Sequence, residues 1–216
     1  IGMGPGRVTL SRYQHRPWAA PGQCAIDPQT LPDTEETQDL VALAADVLGG
    51  VGYRWVGSDL FVLEGDVLSQ ALDEGRLRRS LVGYTALPAM PLLGLGCGAV
   101  SDVNGCLVWS EPAPPLWHAQ VASGRLPVAR AWQADADAQR RRAAAEHLLC
   151  TQQLPAALLS NGLEAAYQVL ARHEADGSLR RLADSLVVTA PGRSRLSQLC
   201  AELAALPGAA APAQSG

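Results

Sequence analysis

Glu74 to Gly105, EGRLRRSLVGYTALPAMPLLGLGCGAVSDVNG, decides how the rest of the chain is read. It is too apolar and too rich in glycine for an ordinary surface loop. The spacing predicts an extended, turn-rich path that ends in a strand over Gly105 to Trp109. Gly94-Leu-Gly-Cys-Gly98 invites a nucleotide-loop reading, but a dinucleotide fingerprint needs a strand before it, a helix opening at the third glycine and an acid about twenty residues on. Here the run leads into Ser101-Asp102 and another strand, which argues against a Rossmann loop. Close approach of this backbone to a ligand stays open, because glycine removes the Cβ barrier.

Outward from that stretch, the 216 residues suffice for one medium domain, or a partial domain with a small second one. Hydrophobic residues make up 48% of the chain, which fits a soluble globular protein, and the net charge of −4 gives no field for nucleic acid or an anionic membrane. All 17 basic residues are arginine, a bias of base composition rather than of function. No window of about 18 apolar residues exists, so no membrane span is expected. The opening IGMGPGRVTL lacks the pattern of a signal peptide. It does not start with Met, so a fragment, a processed product and an incomplete reading all stay open. The odd set Cys24, Cys97, Cys106, Cys150 and Cys200 argues against a secreted disulfide framework. Buried reduced thiols in a cytoplasmic protein are expected. No pair has the spacing of a zinc ribbon.

Arg7 to Ser11 reads as a short buried strand, and the prolines between Pro17 and Asp33 make a loop. Thr34 is the expected N-cap of a helix with the apolar stripe Leu40, Leu43, Ala44, Val47 and Leu48, stopped by Gly49-Gly50. Tyr53 to Gly57 reads as a strand, giving one βα step of a parallel unit, too little to close a barrel alone. Asp66 to Glu74 is a short helix. From Pro114 the character turns helical: Pro115–Ser123, Ala134–Gln152, Pro155–Ser160 and Gly162–Ala175. Two short strands, Leu179–Leu182 and Leu186–Val188, precede a helix from Pro191 to Leu206. That outline suggests a winged-helix-like end piece, with a disordered tail after it.

Few side chains announce chemistry. Arg12, Gln14 and His15 follow the first strand, where α/β barrels place their active-site rim, and are candidates to touch a ligand. His118, His147 and His173 fall on helices without ligand spacing, so metal binding is not expected. Asp59, near Glu64 and Asp66, is a candidate acid–base pair member, but capping is the commoner role for such loop acids. Arg140–Arg142 reads as a solvated face. Arg180, Arg181, Arg193 and Arg195 suggest DNA, yet the last helix is mostly Ala and Leu, and packing explains it better.

Four segments in order resemble the oxygen-independent coproporphyrinogen III dehydrogenases (oxidases), which belong to the radical S-adenosylmethionine enzymes. Gly75–Leu77, Arg79, Gly83–Thr85, Leu92–Gly94, Gly96, Ala99 and Ser101 fall on the family's Gly-Arg-Leu-x-Arg, Gly-Tyr-Thr-Thr and Leu-Leu-Gly-x-Gly-x-x-Ala-x-Ser pattern. PGRVTLSRYQH, GYRWVGSDLF and the arginine-rich helix ending in Leu149-Cys150 resemble three further family segments. The likeness runs from about Gly6 to Cys200. It implies an α/β fold: an incomplete (βα) radical-SAM-type barrel remnant over residues 1–112, a mainly helical domain over 113–206 with a winged-helix-like end, and a tail over 207–216.

By resemblance the function is oxidative decarboxylation of coproporphyrinogen III to protoporphyrinogen IX in haem biosynthesis, with S-adenosylmethionine and a 4Fe–4S cluster as cofactors. In the family a CxxxCxxC motif holds the cluster, which reduces S-adenosylmethionine to a radical that removes hydrogen from a propionate. That motif is absent from this sequence, so the chain alone is expected to be inactive. Cofactor positions carried over by the resemblance are Gln14, Val100, Leu81 and Val82. Gln14 stands where the family usually has Ala, Val100 where it has Ile, and Leu81-Val82 where it has Phe-Gln. Ser58 and Leu60 replace Met and His around Asp59, and Ala86 replaces the second Thr. The implied partner is a tetrapyrrole substrate, and a separate chain supplying the cluster domain stays open beside a remnant of the enzyme, with no nucleic acid and no membrane. The alternative is a non-catalytic tetrapyrrole-binding or haem-handling relative, for which His15 and Cys97 are the residues to test.

Overall fold

The computed structural model describes residues 2–159 and 164–205. Strand β1 (Arg7–Thr9) leads through a proline-rich loop with two short 3-10 turns into α1 (Thr34–Gly49), followed by β2 (Tyr53–Val56), β3 (Leu60–Leu63) and α2 (Val67–Asp73). Helix α1 starts where the sequence places it, but its cap is Asp33, not Thr34. The Asp33 carboxylate accepts from the Glu35 and Glu36 N–H groups while the Glu36 side chain accepts from the Asp33 N–H. Such a reciprocal box stabilises a helix start by about 1 kcal/mol.

The expected βα step is modified. β1 and β2 share a sheet and run parallel, but β3, which the sequence reading missed, lies between them and is antiparallel to both. Strand periodicity then sends alternate β3 side chains to opposite faces. Phe61 packs with Leu48 of α1 and with Tyr53, stacking on Trp55 at 5.1 Å between ring centres. Leu60 and Val62 point the other way, into a cluster with Leu68, Ala71, Leu77 and Cys150. The α1 stripe is only partly buried: Leu48 is enclosed, whereas Leu40, Leu43 and Val47 are exposed.

The decisive stretch forms a hairpin, β4 (Arg78–Ser80) and β5 (Gly83–Thr85), and then β6 (Val100–Val103) and β7 (Cys106–Ser110). After α3 (Pro114–Ala122) comes a strand that the helical reading overlooked, β8 (Val128–Gln133). It completes an antiparallel β6-β7-β8 sheet. Its six residues, VARAWQ, lack a clean apolar alternation and are mostly exposed, so they gave no strand signal.

Helix α4 (Ala136–Thr151) is followed by β9 (Gln153–Pro155), α5 (Ala156–Leu159), α6 (Glu164–Ala175), β10 (Leu179–Leu182), β11 (Ser185–Val188), α7 (Ala190–Arg193) and α8 (Leu196–Ala204). β9 adds a third strand to the expected ribbon, in the order β10-β11-β9. The last helix is not continuous but breaks at Ser194-Arg195. Gly192 of α7 sits so tightly on the Ser178 backbone that a Cβ would overlap it, which fixes where the short helix lies. Leu206 and the tail over 207–216 lie outside the described residues, as do Ser160 and Gly162.

Leu148 and Cys150 sit two positions apart on α4, about 200° around its axis. Leu148 enters the core made with α6, α8 and β11, while Cys150 enters the core beneath β2 and β3. One helix therefore wedges two cores together. Leu148, the fully buried leucine of this helix, contributes about 1.5–3 kcal/mol. No helix among the described residues is long and apolar enough to cross a membrane.

Candidate functional site

The best-built polar cluster lies where β2 turns into β3. Gly57 takes φ +61°, a left-handed conformation that glycine adopts without strain. Above it lies the Tyr84 ring of β5, close enough that a Cβ on Gly57 would overlap the phenol. The Tyr84 hydroxyl accepts from the Ser58 N–H at 2.9 Å and lies 3.2 Å from Ser58 Oγ, which in turn lies 3.0 Å from the Asp59 carboxylate. Arg79 of β4 closes the circuit, 4.6 Å from the Tyr84 ring centre and 3.7 Å from Asp59. Burial pushes the Tyr84 pKa up, so the phenol stays protonated at neutral pH.

These contacts correct the reading of Asp59 as a cap. Asp66 is the cap of α2, accepting from the Leu68 N–H at 2.8 Å, and it also takes two bonds from Arg7 of β1. With Asp59 matched to Arg79, the cluster has no unpaired base. It clamps the β4–β5 hairpin onto the end of β2. The clamp was missed in the sequence, although Arg79 and Tyr84 both stand in the decisive stretch.

The four carried-over positions sit on three separate elements. Leu81 and Val82 form the exposed tip of the clamped hairpin. Val100 is half-buried on β6, opposite Trp109. Gln14 is exposed in the loop after β1, its carbonyl accepting from Gln23 Nε2 at 3.1 Å. Next to it, His15 Nδ1 lies 3.1 Å from the Tyr13 hydroxyl.

The glycine run has its own explanation. Gly94 donates its N–H to Ser101 Oγ at 3.0 Å, Leu92 and Asp102 exchange backbone bonds at 2.9 Å, and a Cβ on Gly94 would overlap Val100. The close approach at Gly94 is therefore to the chain's own β6.

Other candidates resolve into structure. His118 stands edge-on to Trp117, and buried His173 lies 3.3 Å from Glu202 and 3.5 Å from Asp176. Arg140 pairs with Asp137, as a solvated face allows, but Arg142 reaches across to Asp102. Arg181 pairs with Glu174 and Arg195 with Asp176. Arg193 covers Trp55.

Of the five cysteines only Cys150 and Cys200 are buried. Cys24 and Cys97 are exposed and Cys106 is intermediate, so uniformly buried thiols are not what the chain has. Burial pushes both enclosed thiols up to about 12. Among the described residues no three His, Cys, Asp or Glu side chains gather as a metal site, so they do not fit a 4Fe–4S cluster.

Comparison with known proteins gives a consistent likeness. The oxygen-independent coproporphyrinogen III oxidase of Pseudomonas aeruginosa is 26% identical over 208 residues, which are 93% of this chain and 45% of the relative. That of Paracoccus denitrificans is 33% identical over 150 residues, 69% of this chain and 33% of the relative. The solved coproporphyrinogen III oxidase of Escherichia coli, described as a radical SAM enzyme, superposes with a TM-score of 0.83 at 25% identity, covering 94% of this chain and 49% of that one. No family model matches. The chain thus resembles the C-terminal portion of these oxidases and shares their α/β fold, and it spans about half the length of the curated relatives it matches.

Proposed function

We propose that this chain is the tetrapyrrole-side portion of a radical enzyme of coproporphyrinogen III oxidase type, acting in the oxidative decarboxylation of coproporphyrinogen III to protoporphyrinogen IX in haem biosynthesis. The observation that carries this is the likeness in both sequence and fold across more than nine-tenths of the chain. On this reading residues 1–112 are late elements of an incomplete radical-SAM barrel and 113–206 a helical domain with a winged-helix-like end. The three-stranded β10-β11-β9 sheet beside α6 and α8 supports that end piece. The place of action is the cytoplasm.

S-adenosylmethionine and the 4Fe–4S cluster belong to the reading as the source of the oxidising radical. The cysteines of this chain do not suit the cluster, so its ligands come from outside these residues. Gln14, Val100, Leu81 and Val82 are proposed to face the nucleoside cofactor once the site is assembled. An apolar hairpin tip held rigidly by Tyr84 and Arg79, with Val82 81% exposed, supports a surface awaiting cover. The chain alone is then expected to be inactive.

The test is anaerobic assay of the purified chain, with and without a companion polypeptide carrying a reconstituted CxxxCxxC cluster, for deoxyadenosine and protoporphyrinogen. Products only in the mixture are expected. Turnover by the chain alone overturns the assignment of the cluster elsewhere, and none with a loaded companion overturns the oxidase reading. A second reading, a non-catalytic tetrapyrrole-binding or haem-handling relative, is favoured by the unsuited cysteines and would show binding without turnover.

A further inference from the structure

A groove of about 610 Å³ separates the start of the decisive stretch from α4. Its volume is that of a small-molecule site. None of Gln14, Leu81, Val82 and Val100 lines it. Leu77, Ala86, Pro88 and Ala143 form apolar walls, with Cys150 among the lining residues. Arg76, Arg78 and His147 join them, with the Thr151 hydroxyl, which donates to the His147 carbonyl.

In a chain of net charge −4, this lining carries two guanidiniums against one carboxylate, Glu146. Arg78 meets Glu146 at 2.9 Å across the groove, and Arg76 bonds Glu74 through Nε at 2.6 Å. Each guanidinium has five donors in a planar fork, so one carboxylate leaves donors over. The half-buried His147 imidazole has no hydrogen-bond or ion-pair partner among the described residues. An apolar slot with surplus donors along one side suits a ligand that is apolar in its body and carries carboxylates on its edge.

We propose that this groove binds the carboxylate-bearing edge of a tetrapyrrole, with Arg76 and Arg78 taking carboxylates and His147 a third hydrogen bond. The inference rests on the tetrapyrrole reading above and adds the site and the residues. Binding is read by fluorescence titration of the full chain with coproporphyrin III, the stable oxidised probe, beside its tetramethyl ester.

Arg76→Gln and His147→Gln are each expected to weaken binding about three- to tenfold, the range of one charge-assisted or ordinary hydrogen bond at a half-exposed site. The ester is expected to bind weakly to every form. Arg78→Lys keeps a cation beside Glu146 and so preserves the fold if Arg78→Gln does not. Arg140→Gln removes the same charge from α4 away from the groove and is expected to change nothing. Equal loss in Arg140→Gln, unchanged binding in the groove variants, or no binding by the wild-type chain each overturns the groove. The second of these outcomes leaves the tetrapyrrole reading standing, and the turnover assay with a companion chain decides that reading independently.

Discussion

The Arg193 guanidinium of α7 lies 4.2 Å from the centre of the Trp55 ring on β2 and donates to the Trp55 carbonyl oxygen at 2.6 Å. The Gln152 amide, turned with its oxygen inward, accepts from the same guanidinium at 3.0 and 3.1 Å. Three elements far apart in sequence, β2, the end of α4 and α7, meet on one side chain. Burial pushes the Arg193 pKa down to about 10, which still leaves it protonated at neutral pH.

Arg193→Ala is therefore expected to lower unfolding stability by about 1–3 kcal/mol, the sum of a part-buried cation–π contact and a charge-assisted hydrogen bond. Arg193→Lys should fall between, because an ammonium keeps the charge but not the planar stack. Urea unfolding of the three proteins checks this. Lysine and alanine variants both matching wild type would remove the latch.

Asp66 gives a pH dependence. Burial works against its carboxylate, but the two Arg7 bonds and the Leu68 N–H outweigh it and hold its pKa below the usual aspartate value. A carboxylate with a folded pKa below its unfolded value of about 3.9 stabilises the fold above that pH, and the gain disappears as pH falls through the folded value. Thermal midpoints measured from about pH 6 down to about pH 2 should fall less steeply for Asp66→Ser than for wild type. Serine can cap the helix but does not titrate, so the difference between slopes reads the Asp66 carboxylate with its Arg7 and Leu68 bonds together. Identical slopes would show that ionisation of Asp66 adds nothing to stability.

Helices were the most legible part of this fold, because their ends are written locally. Asp33 with Glu36, Asp66 before Val67, and Gly75 at φ +65° all mark boundaries within a few residues. Asn104-Gly105 was an equally local signal that went unused. Both residues have positive φ, at 51° and 79°, the two-residue hairpin turn that pairs β6 with β7. β3 was hidden for a different reason. LFVL is buried on both faces, so it shows no alternation to separate it from the preceding strand.

The site was less legible because its geometry is set by contacts between distant residues. Tyr84 and Gly57 meet only after the hairpin folds back, and nothing local in GYT or VGS announces it. The α1 stripe shows the converse. Its helical spacing was real, but spacing says which face is apolar and not what covers it, and Leu40, Leu43 and Val47 stay exposed among the described residues.

Gly57 itself can be tested against a neighbour of the same backbone type. Gly52 also has positive φ, +89°, but a Cβ there meets open space, whereas at Gly57 it meets the Tyr84 ring. Gly52→Ala is expected to cost about 1 kcal/mol, the left-handed strain alone. Gly57→Ala adds overlap with a largely buried ring and should cost about 2–4 kcal/mol. Equal losses in thermal unfolding would mean that the clamp yields freely and does not fix the hairpin.

The thiols offer a direct check on which cysteines have metal chemistry open to them. The thiolate is the reactive form, and burial that pushes Cys150 and Cys200 up to about 12 removes both it and access to reagent. Cys24 and Cys97 are exposed and Cys106 is half-covered. Reaction of the native protein with a chromogenic disulfide at pH 8, a value near the free-thiol pKa of about 8.5, should release two equivalents quickly and a third slowly. The remaining two should appear only on unfolding. Rapid release of all five would contradict the burial of Cys150 and Cys200 in the two cores.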